Sequence, residues 1–259
     1  MKNTNPIGLF DSGIGGTSIW KEVHTLLPNE NSIYLADSKN APYGLKTKEE
    51  IVSLSCKNTE FLLNQNCKLI VVACNTATTN AIKELREKYD VPFIGIEPAI
   101  KPAAINSKTH CIGILATKGT LNSELFHKSV MNHPDVTIIE QIGHGLVQLI
   151  ENGDIESPEI KELLESYLTP MVKKNIDYLV LGCSHYPYLI PQIKKIIPAN
   201  VQIIDSGEAV AKQTRNILEK NKLLNQTNEI GKQIFYTNSD PEVLKNILNN
   251  SYEVVFKNF

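Results

Sequence analysis

Two patterns alternate along this chain, and that alternation limits its fold more than any other feature. Short apolar runs end in small polar residues, and each gives way to a longer amphipathic stretch. Such runs suit strands covered by helices on both faces, and the longer stretches supply those helices, so the pattern predicts an α/β fold. Strands are expected near Ile7–Phe10, Ser32–Ala36, Leu69–Ala73 and Phe93–Ile96. A second set is expected near Cys111–Leu115, Val136–Glu140, Tyr178–Leu181 and Val201–Ile204. Thr78–Lys88, Pro158–Lys174 and Glu208–Lys220 read as helices.

The two sets of strands look like an internal repeat. Ile7-Gly8-Leu9-Phe10 opens one half and Ile112-Gly113-Ile114-Leu115 the other. The third run of each half ends in a cysteine, Cys74 and Cys183, at similar spacing from the opening glycine. The fourth run leads to Glu97 in one half and Asp205 in the other. The pattern predicts two pseudo-symmetric α/β domains with mostly parallel sheets and an active site in the cleft between them. Residues 1–98 plus 209–259 form the first domain and residues 99–208 the second, and the tail Gln233–Phe259 packs back on the first half. Ligands of parallel sheets sit at the carboxyl ends of the strands, where helix N-termini present free N–H groups. Both cysteines fall at such ends, so two thiols would flank one cleft.

Composition narrows the function. A chain of 259 residues that is 42% hydrophobic can bury a large core. Lys and Arg number 26 against 28 Asp and Glu, leaving a net charge of −2 and no excess of basic residues for nucleic acid. No stretch approaches the ~20 apolar residues of a membrane span. Five cysteines, an odd count without a CxxC pair, argue against a disulfide framework or a zinc site. The expected protein is a soluble cytoplasmic enzyme acting on a small molecule.

Cys56, Cys67 and Cys111 read as small buried hydrophobes. Cys74-Asn75-Thr76 and Cys183-Ser184-His185 differ, because hydrogen-bonding residues follow each thiol at a strand-to-helix turn. There the helix N-terminus is expected to lower a thiol's pKa from ~8.5. Two opposed thiols suit the removal of a proton from one face of a carbon acid and delivery of one to the other, which is racemisation or epimerisation. A redox dithiol is the rival chemistry, and it needs the thiols in contact. His185, two residues beyond Cys183, can stabilise a thiolate.

Asp11-Ser12-Gly13-Ile14-Gly15-Gly16 follows the first strand, and its glycines would let the backbone approach a bound anion. Asp11 either receives a substrate ammonium, orients a thiol or caps the next helix. In Asp37–Gly44, Tyr43 is held between Pro42 and Gly44 as a ligand contact or a packed aromatic. Thr117 and Thr120 are carboxylate donors or capping residues. Glu151, ending the stretch from Gly145, reads on its own as a solvated residue.

Phe10–Gly16, Asp37-Ser38 with Pro42-Tyr43-Gly44, Ala73–Ala77 and Leu181–Pro187 together resemble the bacterial glutamate racemases, within the wider aspartate/glutamate racemase superfamily. The likeness runs in order along essentially the whole chain. It implies interconversion of L- and D-glutamate without a cofactor or metal, supplying D-glutamate for peptidoglycan and cell shape. It also implies a homodimer. By the same resemblance Cys74 and Cys183 are the two acid/base groups, with Asp11 and the pair Glu151–His185 assisting on opposite faces. Ser12, Pro42, Tyr43, Gly44, Asn75, Thr76, Thr117, Thr120, Ser184 and His185, with Asp11, would bind substrate. Cys74 would deprotonate D-glutamate and Cys183 L-glutamate. One residue departs from the family, which usually carries threonine where Ser184 stands; serine keeps the hydroxyl and loses a methyl. A racemase for aspartate or another amino acid, and a binding protein with a decayed site, are the competing readings.

Overall fold

The computed structural model describes residues 3–259. Two parallel sheets form its frame. The first has six strands in the order β10-β9-β2-β1-β3-β4: β1 (Ile7–Asp11), β2 (Ser32–Ala36), β3 (Leu69–Val72), β4 (Phe93–Gly95), β9 (Gln233–Thr237) and β10 (Val254–Phe256). The second has four in the order β6-β5-β7-β8: β5 (Cys111–Ala116), β6 (Thr137–Ile142), β7 (Tyr178–Gly182) and β8 (Gln202–Ile204). Every pairing is parallel.

The two halves share a topology. The β2-β1-β3-β4 core of the first sheet has the same connectivity as β6-β5-β7-β8. The likeness extends to single residues. A Cβ on Gly8 would lie 2.9 Å from Ile70 Cδ1 and 3.0 Å from Cys67 Sγ, and one on Gly113 would lie 3.0 Å from Ile176 Cδ1. A glycine near the start of each central strand thus lets the cysteine strand and the segment leading into it pack closely. An added methyl there would overpack by about 1–3 kcal/mol. Asn66 and Asn175, which precede β3 and β7 at the same offset, both take a left-handed backbone, φ 59° and 61°. Asparagine tolerates that conformation well. Cys67 is the small hydrophobe the sequence suggested, and burial pushes its thiol up to about 12.

Each of the eight expected strands is present, with ends shifted by at most two residues. Leu69–Val72 is fully buried, as its unbroken apolar run required. The tail does more than pack back: it adds β9 and β10 to the β2 edge, with Ser32 in register with Gln233. Those strands escape a sequence reading because they are only partly buried and lack an unbroken apolar run. Phe235 anchors them in an aromatic cluster, edge-on to Trp20 at 4.7 Å. The helix Gly207–Lys220 packs on Thr17–Leu26 and brings the chain back to the first sheet. No helix among the described residues is long and apolar enough to cross a membrane. The carboxyl ends of β1, β2, β3, β5 and β7 carry the residues of the candidate site.

Candidate active site

Cys74 leaves β3 and caps the helix Asn75–Lys88, its Sγ accepting from the Ala77 N–H at 3.4 Å. Its own S–H points to Ser12 Oγ, 3.7 Å away. A helix N-terminus alone would favour the thiolate, and the sequence reading expected a lowered pKa. The structure reverses this. Burial pushes the Cys74 thiol well above its ordinary value, and the neighbouring Asp11 carboxylate adds to the rise, outweighing the Ala77 N–H.

Asp11 closes β1 and is completely buried. It does not cap the following helix, which starts behind Gly16 without a side-chain cap. Instead Oδ2 accepts from Gly13 N–H at 3.0 Å, and Oδ1 accepts from Ser184 Oγ at 3.0 Å. Burial raises its pKa, with Glu151 adding to the rise, against the pull of His185 and the Gly13 and Gly16 N–H groups. The Ser184 contact joins the two halves. Cys74, Ser12, Asp11, Ser184 and Cys183 form one contiguous constellation.

Cys183 follows β7, and a short 3-10 turn, Tyr186–Leu189, comes next rather than a regular helix. Its partner is a side chain: Sγ lies 3.7 Å from His185 Nδ1. His185 Nε2 is 2.6 Å from Glu151 Oε1. Glu151 is not solvated, its side chain being only 7% exposed. Ile14 N–H donates to Oε1 at 2.6 Å and Ser38 Oγ to Oε2 at 2.7 Å. Burial would lower the His185 pKa, but the hydrogen bonds to Cys183 and Glu151 prevail and hold it well above the ordinary imidazole value. An imidazolium therefore faces Cys183, where it attracts a thiolate.

The glycine loop makes close contact with side chains of the other half. A Cβ on Gly13 would lie 1.9 Å from Glu151 Oε1, and one on Gly15 would lie 2.2 Å from His185 Nδ1. Among the groups this backbone approaches is Glu151, to which Ile14 N–H donates. Tyr34, missed in the sequence, steadies the loop by donating from Oη to Gly13 O at 2.8 Å.

The remaining candidates gather around the Cys74 helix. Both amide atoms of Asn75 are buried and lack a hydrogen-bond partner. An unpaired buried amide costs about 1–3 kcal/mol, so this side chain suits a ligand that would satisfy it. Thr76 Oγ1 is 2.8 Å from Thr117 Oγ1, and Thr120 Oγ1 lies 3.3 Å and 3.1 Å from these two. Gly44 presses on this cluster, since its Cβ would be 2.9 Å from Thr117 Cβ. Pro42, after a cis peptide bond, lines a cavity with Gly44, Thr117 and His144. Tyr43 is a packed aromatic, 1% exposed, with its hydroxyl donating to Asp37 Oδ2 and accepting from Asn58 at 3.1 Å. Ser38, part of the Asp37-Ser38 motif but assigned no role in the sequence, reaches Glu151 with its hydroxyl.

A family model described as Asp/Glu/Hydantoin racemase matches residues 15–214. A glutamate racemase from Herpetosiphon aurantiacus is 44% identical over 237 residues, covering 91% of this chain and 93% of that relative. Among solved structures, a glutamate racemase isoform from Bacillus anthracis superposes with a TM-score of 0.88 at 30% identity, covering 99% of this chain and 98% of that one. The Escherichia coli glutamate racemase, solved with L-glutamate and the activator UDP-MurNAc-ala, gives 0.86 at 32% identity, covering 98% of each.

Proposed function

The chain belongs to the Asp/Glu/hydantoin racemase family, and on that premise we propose that it interconverts L- and D-glutamate by proton transfer between two thiols. The observation that carries this reading is the pair of equivalent strand-end cysteines, each with its own acid/base partner and joined through Ser184 and Asp11. In the resting enzyme Cys74 is the thiol, because burial and Asp11 disfavour its charge. Cys183, with the His185 ring 3.7 Å from its sulfur, is the group that takes the first proton.

L-Glutamate enters with Cα between the two sulfurs. The Cys183 thiolate takes the α-proton, and the electron pair remains on a carbanion conjugated with the carboxylate. Cys74 then delivers its proton to the opposite face, giving D-glutamate, a Cys74 thiolate and a Cys183 thiol. The reverse reaction starts from that second form. Asp11, losing or gaining charge beside Cys74, and Glu151–His185, beside Cys183, assist the two transfers. The carbanion's charge falls on the carboxylate, where Asn75, Thr76 and Thr117 supply donors. Ser12, Ser184 and the Tyr43-Gly44 backbone complete the substrate pocket, and no cofactor takes part.

D-Glutamate made this way supplies peptidoglycan synthesis from the cytoplasm, and the protein works as a homodimer. Purified protein in D2O with L-glutamate, and separately with L-aspartate, tests the activity. NMR follows loss of the Cα proton and chiral chromatography the D-enantiomer. Exchange with racemisation of glutamate is expected. Racemisation of aspartate instead would replace the substrate, and exchange with neither would remove the chemistry.

A further inference from the structure

Asn238 follows β9, in the segment that the sequence analysis treated as a tail, and it is 5% exposed. Its side chain spans one turn. Nδ2 donates to Asp37 Oδ1, and Oδ1 accepts from Lys39 N–H at 2.9 Å. The backbone N–H of Asn238 donates to Ala36 O at 3.4 Å. The residues clasped, Asp37 and Lys39, flank Ser38, whose hydroxyl donates to Glu151 Oε2 at 2.7 Å. Glu151 Oε1 meets His185 Nε2, and His185 Nδ1 meets Cys183 Sγ. The other oxygen of Asp37 is taken by Tyr43 and Asn58, so Asn238 is not needed to hold Tyr43.

We propose that Asn238 and Ser38 are positioning residues for the Cys183 side of the site: the Asn238 amide fixes the Asp37–Lys39 turn, and the turn aims the Ser38 hydroxyl at Glu151. A carboxylate held by one N–H can swing about that bond. A second donor on the other oxygen fixes its plane and hence its alignment with the imidazole. The last strands of the first sheet thereby act on the cysteine of the second half and leave Cys74 alone. The proposal rests on the two-thiol reading for its catalytic consequence, but its test does not require turnover.

The test is iodoacetamide labelling at neutral pH, with each cysteine quantified by peptide mass spectrometry. Cys74 and Cys183 are 4% and 5% exposed, so access is alike and their relative rates report thiolate content. Cys67, with its thiol pushed up to about 12, serves as the unreactive control. Ser38→Ala and Asn238→Ala should each slow Cys183 labelling by about tenfold, the loss expected for one hydrogen bond to a charged group. Cys74 labelling should change less than twofold. Ser38→Thr, which keeps the hydroxyl, should restore the Cys183 rate. Adding Asn238→Ala to Ser38→Ala should slow Cys183 no further, because the first acts through the second. Equal slowing of both cysteines, multiplicative effects in the double variant, failure of Ser38→Thr to rescue, or unchanged Cys183 labelling would each overturn the proposal. These outcomes stand whether or not the wild-type protein racemises glutamate, so a failure here is distinct from a failure of the proposed activity.

Discussion

The two halves of this molecule carry the same strand order, the same close-packed glycine and the same cysteine at the end of the third strand. Around the sulfurs they differ. Cys74 caps a long helix and faces a buried carboxylate, whereas Cys183 precedes a 3-10 turn and faces an imidazole backed by Glu151. A repeated backbone places two thiols at equivalent points, and the neighbours then differ: burial and Asp11 hold Cys74 toward the neutral thiol, while Cys183 has an imidazole at its side whose own pKa is raised. A reaction that takes a proton on one face and gives one on the other needs that inequality at each moment. The supports also cross between halves: Ser184 bonds Asp11, and the first sheet's Ile14 and Ser38 hold Glu151.

The largest effect should come from erasing the equivalence itself. Cys74→Ser or Cys183→Ser should each reduce racemisation by about 10³–10⁴-fold, measured by circular dichroism of glutamate, since each removes one of the two proposed acid/base groups. Next, Glu151→Gln leaves His185 without its counter-charge. We expect a loss of about 10²-fold in kcat, with slower alkylation of Cys183 and little change at Cys74. Gly13→Ala should act on the same limb, because its methyl would occupy the position of Glu151 Oε1.

Asp11→Asn separates activity from stability. The folded-state pKa of Asp11 is raised, so the fold loses stability as pH rises from 3.8 through that higher value, and the loss persists at neutral pH. Asparagine accepts from Gly13 through Oδ1 and donates to Ser184 through Nδ2, without the buried charge. Activity should fall roughly tenfold to a hundredfold, while the Tm at pH 7 rises by about 2–4 °C for each kcal/mol recovered. A lower Tm would show that the ionised Asp11 is better satisfied than its burial suggests. The smallest effect is expected at Thr117→Val, which removes one hydroxyl from the threonine cluster. KM should rise by about tenfold or less, with kcat changing less than KM.

The apolar runs made the fold readable because a parallel strand buried on both faces has little freedom in composition. Leu69–Val72 and Tyr178–Gly182 are cases in point. β9 and β10, only partly buried at one side of the first sheet, lack that signature. The two cysteine motifs and Asp11 could be found because spacing places them at strand ends. Glu151 could not be found from its own neighbourhood. Its burial arises from a histidine 34 positions away and from the glycine loop of the other half, and no local pattern encodes that meeting. The expected fall in the Cys74 pKa failed for a related reason. A helix N-terminus is visible in sequence, but the burial and the Asp11 carboxylate that outweigh it belong to the assembled fold.

The most direct test of the account uses glutamate analogues that carry a leaving group, since elimination needs only one proton abstraction. With the D-analogue, Cys183→Ser should eliminate and Cys74→Ser should not. With the L-analogue the pattern should invert. One variant processing both enantiomers, or the opposite pattern, would contradict the assignment of one thiol to each face.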